Sequence, residues 1–292
     1  MPRGPESHRP RQRRALLVCL ALTVVAMAIE VAGGLWTNSL MLLSDAAHML
    51  SHAAALFVSY LALRLAARKA DAHSHFGFYR AEILGAFVNG IGVLVLTGWI
   101  LYEAWERFQA PVPIEGLEMT AIAIFGLVVN LVTAVILARA GAEDLNTKSA
   151  FVHMLGDTVS SVAIILGGVI VWQFGWMWVD PLLSVVVAVV VGVWGGRLLK
   201  ESTRILLEFT PHGLDPEELT QAILAGVPEA SDLHDLHVWE ITSGYVCLTA
   251  HLVVEDGRIS ERSRIHDEVA TILRERFGVG HVTLQLEPCV SG

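Results

Sequence analysis

The stretch AFVHMLGDTVS, residues 150–160, sets His153 and Asp157 four residues apart inside an otherwise apolar run. Working outward, SDAAHMLSHA at 44–53 repeats the spacing with His48 and His52. On an α-helix, residues i and i+4 share one face, with Cβ atoms roughly 5–6 Å apart. Two such pairs turned toward each other offer three imidazoles and one carboxylate, a tetrahedral donor set suited to Zn²⁺ or a similar divalent ion. Lipid solvates ionisable groups poorly, so inside apolar helices they face a bundle interior or a water-filled path.

The composition agrees with a lipid setting. Of 292 residues, 54% are hydrophobic and only 17% charged, with mean hydropathy +0.56. That is too apolar for an ordinary soluble chain and indicates an integral membrane protein. Charge is unevenly spread. Residues 1–204 carry 15 Lys/Arg against 14 Asp/Glu, and residues 205–292 carry 5 against 15, which together give the net −9. A membrane part followed by an acidic, water-soluble part is the expectation. Cys19, Cys247 and Cys289 form no CxxC and leave an odd count, which argues against a disulfide scaffold.

Six apolar segments are long enough to span a bilayer: 15–36, 40–65, 81–108, 117–138, 149–172 and 181–199. The arginine-rich start resembles a signal peptide, but no small-residue cleavage site closes a short apolar core, so it reads as a first membrane helix. Lys and Arg concentrate in the N-terminal arm, the 64–80 and 139–148 loops and the exit from the last span. The connections at 111–118 and 173–180 carry none. By the positive-inside rule both termini are cytoplasmic. The domains expected are a basic arm at 1–14, a six-span all-α transmembrane domain at 15–204, and a small cytoplasmic α+β domain at 205–292.

In the last of these, DPEELTQAILAGV reads as a helix with Asp215 at its N-cap and Pro216 at its first position. DLHDLHVWEI and YVCLTAHLVVE alternate as strands, joined through Thr242-Ser243-Gly244 as a hairpin. A helix over 260–277 and a closing strand HVTLQLE complete the order α-β-β-α-β. Residues i and i+3 of a strand face opposite ways, so His234 and His237 are expected on opposite faces, with His237 structural beside Trp239.

Several motifs carry a family resemblance: NTKSAFVHMLGD, SLMLLSDAAHML, FGFYRAEILGAFVNG and HDLHVWEITSG. Together they resemble the cation diffusion facilitator family and its zinc-transporter branch, over nearly the whole chain after the first 15 residues. The resemblance implies a six-span homodimer with a cytoplasmic ferredoxin-like domain that exchanges Zn²⁺, or a related ion such as Cd²⁺ or Co²⁺, for protons. It places His48, His52, His153 and Asp157 at the transport site. It places His234, His251 and Glu287 at cytoplasmic metal positions, with His281 close to another and His266 near a bridging one. The family's second span normally ends its pair in Asp, where this chain has His52. One fixed negative charge instead of two disfavours hard Mn²⁺ and shifts proton coupling toward histidine titration near ~6.5.

Other polar groups are read more plainly. Asp45, three residues before His48, serves as an acceptor orienting a ligand histidine or as a packing residue. Glu30, Asn89 and Asn130 make polar contacts within the bundle. Asp71, His73 and His75 in the 64–80 loop form a short cluster that could catch metal before entry, though a solvated loop suits them better. No P-loop or ATP signature appears, and an acidic soluble part excludes nucleic acid. Two rivals stand beside transport: a metal sensor or scaffold, and a histidine-box membrane metalloenzyme, which needs about eight helix-end histidines where the spans hold three.

Overall fold

The computed structural model of the chain describes the backbone of residues 9–66, 78–140, 145–255 and 261–288, with side chains omitted at 9–16, 52, 55–56, 58–66, 137–140, 145–157 and 159–160. Six long helices come first: α1 (Arg9–Thr37), α2 (Leu40–Ala66), α3 (Arg80–Gln109), α4 (Gly116–Ala140), α5 (Leu145–Phe174) and α6 (Val179–Leu206). Each covers one expected span, since a helix satisfies its own backbone groups where lipid offers no partner. Among the described residues, α3, α6 and long parts of α1 and α4 are apolar enough to cross a membrane. With 27 and 30 residues, α2 and α5 reach about 40 Å or more and exceed the hydrocarbon thickness.

Two ends differ most from the spans expected. The first helix begins six residues earlier, at Arg9, and α6 continues to Leu206. Beyond the apolar run, α6 is carried by RLLKESTRIL, whose leucines, lysine and glutamate favour helix without needing lipid.

The chain divides into two compact units, residues 1–61 with 85–199, and residues 62–84 with 200–292. In the first unit the connections after α1, α3 and α5 meet at one end, where the Glu115 N–H donates to Thr37 O at 3.2 Å. Beneath them Met41, Leu42, Met119, Ala123, Ile164, Val171 and Val179 form a buried cluster that closes this end. Asp180, at the start of α6, is fully buried and accepts from Ser39 Oγ (2.6 Å), Leu40 N (2.9 Å) and Met41 N (3.2 Å). Further along, a Cβ on Gly195 of α6 would lie 2.6 Å from Val93 Cγ1 of α3, so glycine there allows close approach of the two helices.

The second unit contains α7 (Pro216–Gly226), β1 (Ala230–Thr242), β2 (Tyr245–Val254), α8 (Arg262–Phe277) and β3 (Val279–Pro288). Among the described residues this is the ferredoxin-like β-α-β-β-α-β order without its leading strand. The sheet order is β1-β2-β3, antiparallel then parallel. Asp215 caps α7 by accepting from Glu217 N at 2.9 Å, with Pro216 at the first position as expected. The β1–β2 hairpin turns at Ser243-Gly244, and Gly244 takes φ 76°, a value glycine adopts without strain.

Both helices cover one sheet face. Ile265, Val269 and Leu273 recur every fourth residue on α8 and pack with Leu219 and Ile223 of α7 against Leu248, Ala250, Leu252 and Val254. The first residues of α3 also belong to this unit. Arg80 pairs with Glu208, the Tyr79 and Tyr245 rings stack at 5.9 Å, and Thr242 Oγ1 donates to Glu82 Oε2 at 3.0 Å.

Candidate metal centres

The cluster in the second unit is assembled by strand register. His234 of β1 lies opposite His251 of β2, and Glu287 of β3 lies opposite Val253, two residues along from His251. His251 Nδ1 sits 2.8 Å from Glu287 Oε1, and His234 Nε2 sits 3.5 Å from Glu287 Oε2. The two imidazole centroids are 5.3 Å apart. Gln285 Nε2 donates to Glu287 Oε1 at 2.9 Å and holds that carboxylate in place. One ligand atom from each of His234, His251 and Glu287 lies within 4.8 Å of the others. Two imidazoles and a carboxylate at this spacing, half-exposed, fit a divalent ion that completes its shell with water.

The expected opposition of His234 and His237 does not hold. Asp235 takes φ 50°, and β1 bulges there, so Asp235 and Leu236 together oppose the single Ala250 on β2. His234 faces His251 and His237 faces Thr249, which returns both histidines to one sheet face. The bulge also swings Asp235 across this face. Its Oδ1 is 3.0 Å from His237 Nε2 and its Oδ2 is 3.6 Å from His251 Nε2. No spacing rule identifies Asp235 in advance, because the rule fails at a bulge.

His281 is not brought to this cluster. It pairs with Cys247, four residues along β2 from His251, a separation of about 13 Å at ~3.3 Å per residue. His266 lies on α8 beside Asp267, at 3.6 Å. Cys247 is buried, which pushes its thiol up and keeps it protonated rather than a metal ligand.

In the first unit, His48 lies on α2 with 6% exposure, its ring 5.8 Å from Trp194 of α6. His52 follows one turn later on α2, and His153 and Asp157 lie on α5, each pair within one continuous helix. The side chains of His52, His153 and Asp157 lie outside the described residues, as do Asp71, His73 and His75 entirely. Elsewhere on the described helices of this unit, several polar side chains are also buried. Asp45 and Glu30 are buried at 2% and 1%, and Asn130 Nδ2 donates to Ser161 Oγ at 3.3 Å. A Cβ on Gly126 of α4 would collide with Glu30 Oε1, so this glycine makes room for the carboxylate. Asn89 Nδ2 donates to Ser51 O on α2 at 3.1 Å, an interhelical bond of the kind expected.

A polytopic helical membrane domain with buried histidine and carboxylate groups, followed by a small α+β domain that gathers His234, His251 and Glu287, has the composition of a membrane metal transporter. The family models agree. The cation efflux transmembrane domain matches residues 16–207, and the cation efflux protein cytoplasmic domain matches residues 211–289. The chain belongs to the cation efflux family, whose members are metal transporters and not enzymes, and its activity is metal cation efflux.

A "Cadmium, cobalt and zinc/H(+)-K(+) antiporter" of Bacillus subtilis (strain 168) is 40% identical over 287 residues, covering 97% of this chain and 92% of the relative. "Metal cation efflux system protein CzcD" of Cupriavidus metallidurans is 38% identical, covering 97% and 89%. "Zinc transporter ZitB" of Escherichia coli (strain K12) is 37% identical, covering 97% and 91%. Among solved structures, a metal-bound C-terminal domain of the CzcD transporter is 35% identical, covering 25% of this chain and 99% of its own, with TM-score 0.24.

Proposed function

We propose that this protein is a Zn²⁺/proton antiporter that exports metal from the cytoplasm through an intramembrane site of His48, His52, His153 and Asp157. The observation that carries the reading is the pair of i,i+4 donor sets on two continuous helices, with His48 buried. Three neutral imidazoles and one carboxylate bind Zn²⁺ tetrahedrally and also accept Cd²⁺ or Co²⁺. Because the imidazoles bind metal only when deprotonated, metal release and proton uptake exchange for one another at the same atoms. Alternating access then lets an imposed proton gradient drive export.

Both termini face the cytoplasm in this reading, with residues 1–14 as a basic arm at anionic lipid, 15–204 as the transport domain and 205–292 as the cytoplasmic metal-binding and dimerisation domain. His234, His251 and Glu287 hold a regulatory or structural Zn²⁺, and the protein works as a homodimer in the inner membrane. The names of the relatives support zinc and cobalt or cadmium as cargo and protons as counter-ion.

Flux in proteoliposomes under an imposed pH gradient tests this. Zn²⁺ is expected to move opposite to protons, more readily than Mn²⁺, and His153→Ala is expected to abolish the movement. Tight Zn²⁺ binding without flux of any ion would overturn transport in favour of a sensor.

A further inference from the structure

The helix that carries His48 and His52 is capped only in part by its own preceding residue. Ser39 precedes α2 and its hydroxyl accepts from Leu42 N at 3.2 Å, but the N–H groups of Leu40 and Met41 donate to the carboxylate of Asp180, 140 residues later on α6. Ser39 Oγ itself donates to Asp180 Oδ1 at 2.6 Å. The first four N–H groups of any helix lack partners within it. Here the missing acceptors come largely from another helix, at a site from which solvent is excluded.

Arg107 at the end of α3 joins the same group. Its Nη1 lies 3.7 Å from Asp180 Oδ2 and donates to the carbonyl of Asn38, and its Nε donates to Glu103 Oε1 at 3.2 Å. Asp180 is fixed in turn, because Ser184 Oγ donates to its carbonyl at 2.7 Å. Packing continues the connection downward, where Leu40 is buried with Ile100 and Ala104 of α3 and Ala188 of α6.

We propose that Asp180 is a positioning residue for the metal-transport site, capping α2 from α6 and so fixing the rotation at which α2 presents His48 and His52. This rests on the reading of those histidines as transport ligands. Backbone N–H groups leave a helix in set directions, so a carboxylate held by two of them and by the Ser39 hydroxyl fixes the helix about its own axis. His48 lies nine residues from Ser39, about 13 Å along the axis, and His52 about 6 Å further. An imidazole nitrogen reaches about 6 Å from the axis, beyond the ~2.3 Å radius of the Cα cylinder. A rotation of about 10° would move it about 1 Å, whereas metal–ligand distances tolerate only about ±0.2 Å. Three helices meet at this carboxylate, so α2, α3 and α6 keep their relative placement at this end while the metal is held.

The test uses the full chain in proteoliposomes and compares initial Zn²⁺ flux for wild type, Asp180→Asn and Asp180→Ala. Loss of groups that orient metal ligands costs about 10–100-fold in metal affinity. Asp180→Ala is therefore expected to raise KM for Zn²⁺ about 10-fold or more with the maximal rate little changed. Asp180→Asn, which keeps one accepting oxygen, is expected to fall between. A merely structural cap would lower the amount of active protein, and hence the maximal rate, without moving KM. A KM for Asp180→Ala within twofold of wild type overturns the proposal.

Should Asp180→Ala fail to fold, Asp180→Asn decides alone, and an unchanged KM overturns it. Should wild type carry no ion, the transport reading has failed separately. Equilibrium Zn²⁺ affinity in a His251→Ala background then decides the cap: weakened binding in Asp180→Ala sustains it, and equal binding overturns it.

Discussion

Glu287→Gln is the substitution with the largest expected effect on the cluster of the second unit. Of the three grouped residues Glu287 is the anionic one, its carboxylate lying 2.8 Å from His251 Nδ1 and 3.5 Å from His234 Nε2. The side chains of His234, His251 and Glu287 are 45%, 30% and 32% exposed, so water screens the site strongly. Taking the dielectric of bulk water and a metal–oxygen distance of about 2.1 Å, a unit negative charge attracts a divalent ion by about 4 kcal/mol. Glutamine keeps the shape and an oxygen but loses that charge. The expected loss is thus about 3–4 kcal/mol, or about 10²–10³-fold in Kd. The assay is Zn²⁺ competition against a chromophoric chelator on the purified full chain, where one class of site should weaken while binding at the proposed membrane site is unaltered. A change below about fivefold would refute the reasoning and leave Glu287 as a hydrogen-bond acceptor between two histidines.

Three further outcomes follow from the same structure. His52→Asp should keep Zn²⁺ flux but move the acid limb of its pH profile downward, because a carboxylate near pKa ~3.9 competes with protons at lower pH than an imidazole near ~6.5; an identical profile would remove His52 from proton coupling. Leu252→Ala, at a fully buried position between α7, α8 and the sheet, should destabilise the second unit by about 2–5 kcal/mol, read as earlier thermal unfolding. Replacing Asp235 with Ala should leave His234, His251 and Glu287 in register yet free His237 from its 3.0 Å partner, lowering Zn²⁺ affinity far less than Glu287→Gln in the same chelator assay.

Much of this protein is legible along the chain. Six apolar runs, the breaks between them and the α-β-β-α-β order follow from patterns set within a few turns or strands, and the structure departs from them only at helix ends such as Arg9 and Leu206. The i,i+4 spacing of His48 with His52 and of His153 with Asp157 is likewise local, since a helix makes neighbours of residues one turn apart. The Asp215–Pro216 helix start and the Gly244 turn were equally readable, because each depends on the backbone preferences of one or two residues.

What the sequence alone could not decide depends on register and on partners far apart in the chain. Alternation assigns His234 and His237 to opposite faces, yet one left-handed residue at Asp235 shifts the count and returns both to the same face. Glu287 reaches His251, and His281 does not, only because β3 lies parallel to β2 at one particular offset. Asp180 looks like an ordinary first-turn carboxylate of α6, and only packing shows that it caps α2 instead. Local patterns determine which elements form, because their energies are local. Which side chains meet is decided by the offset between elements, and that offset is set where all of them pack at once.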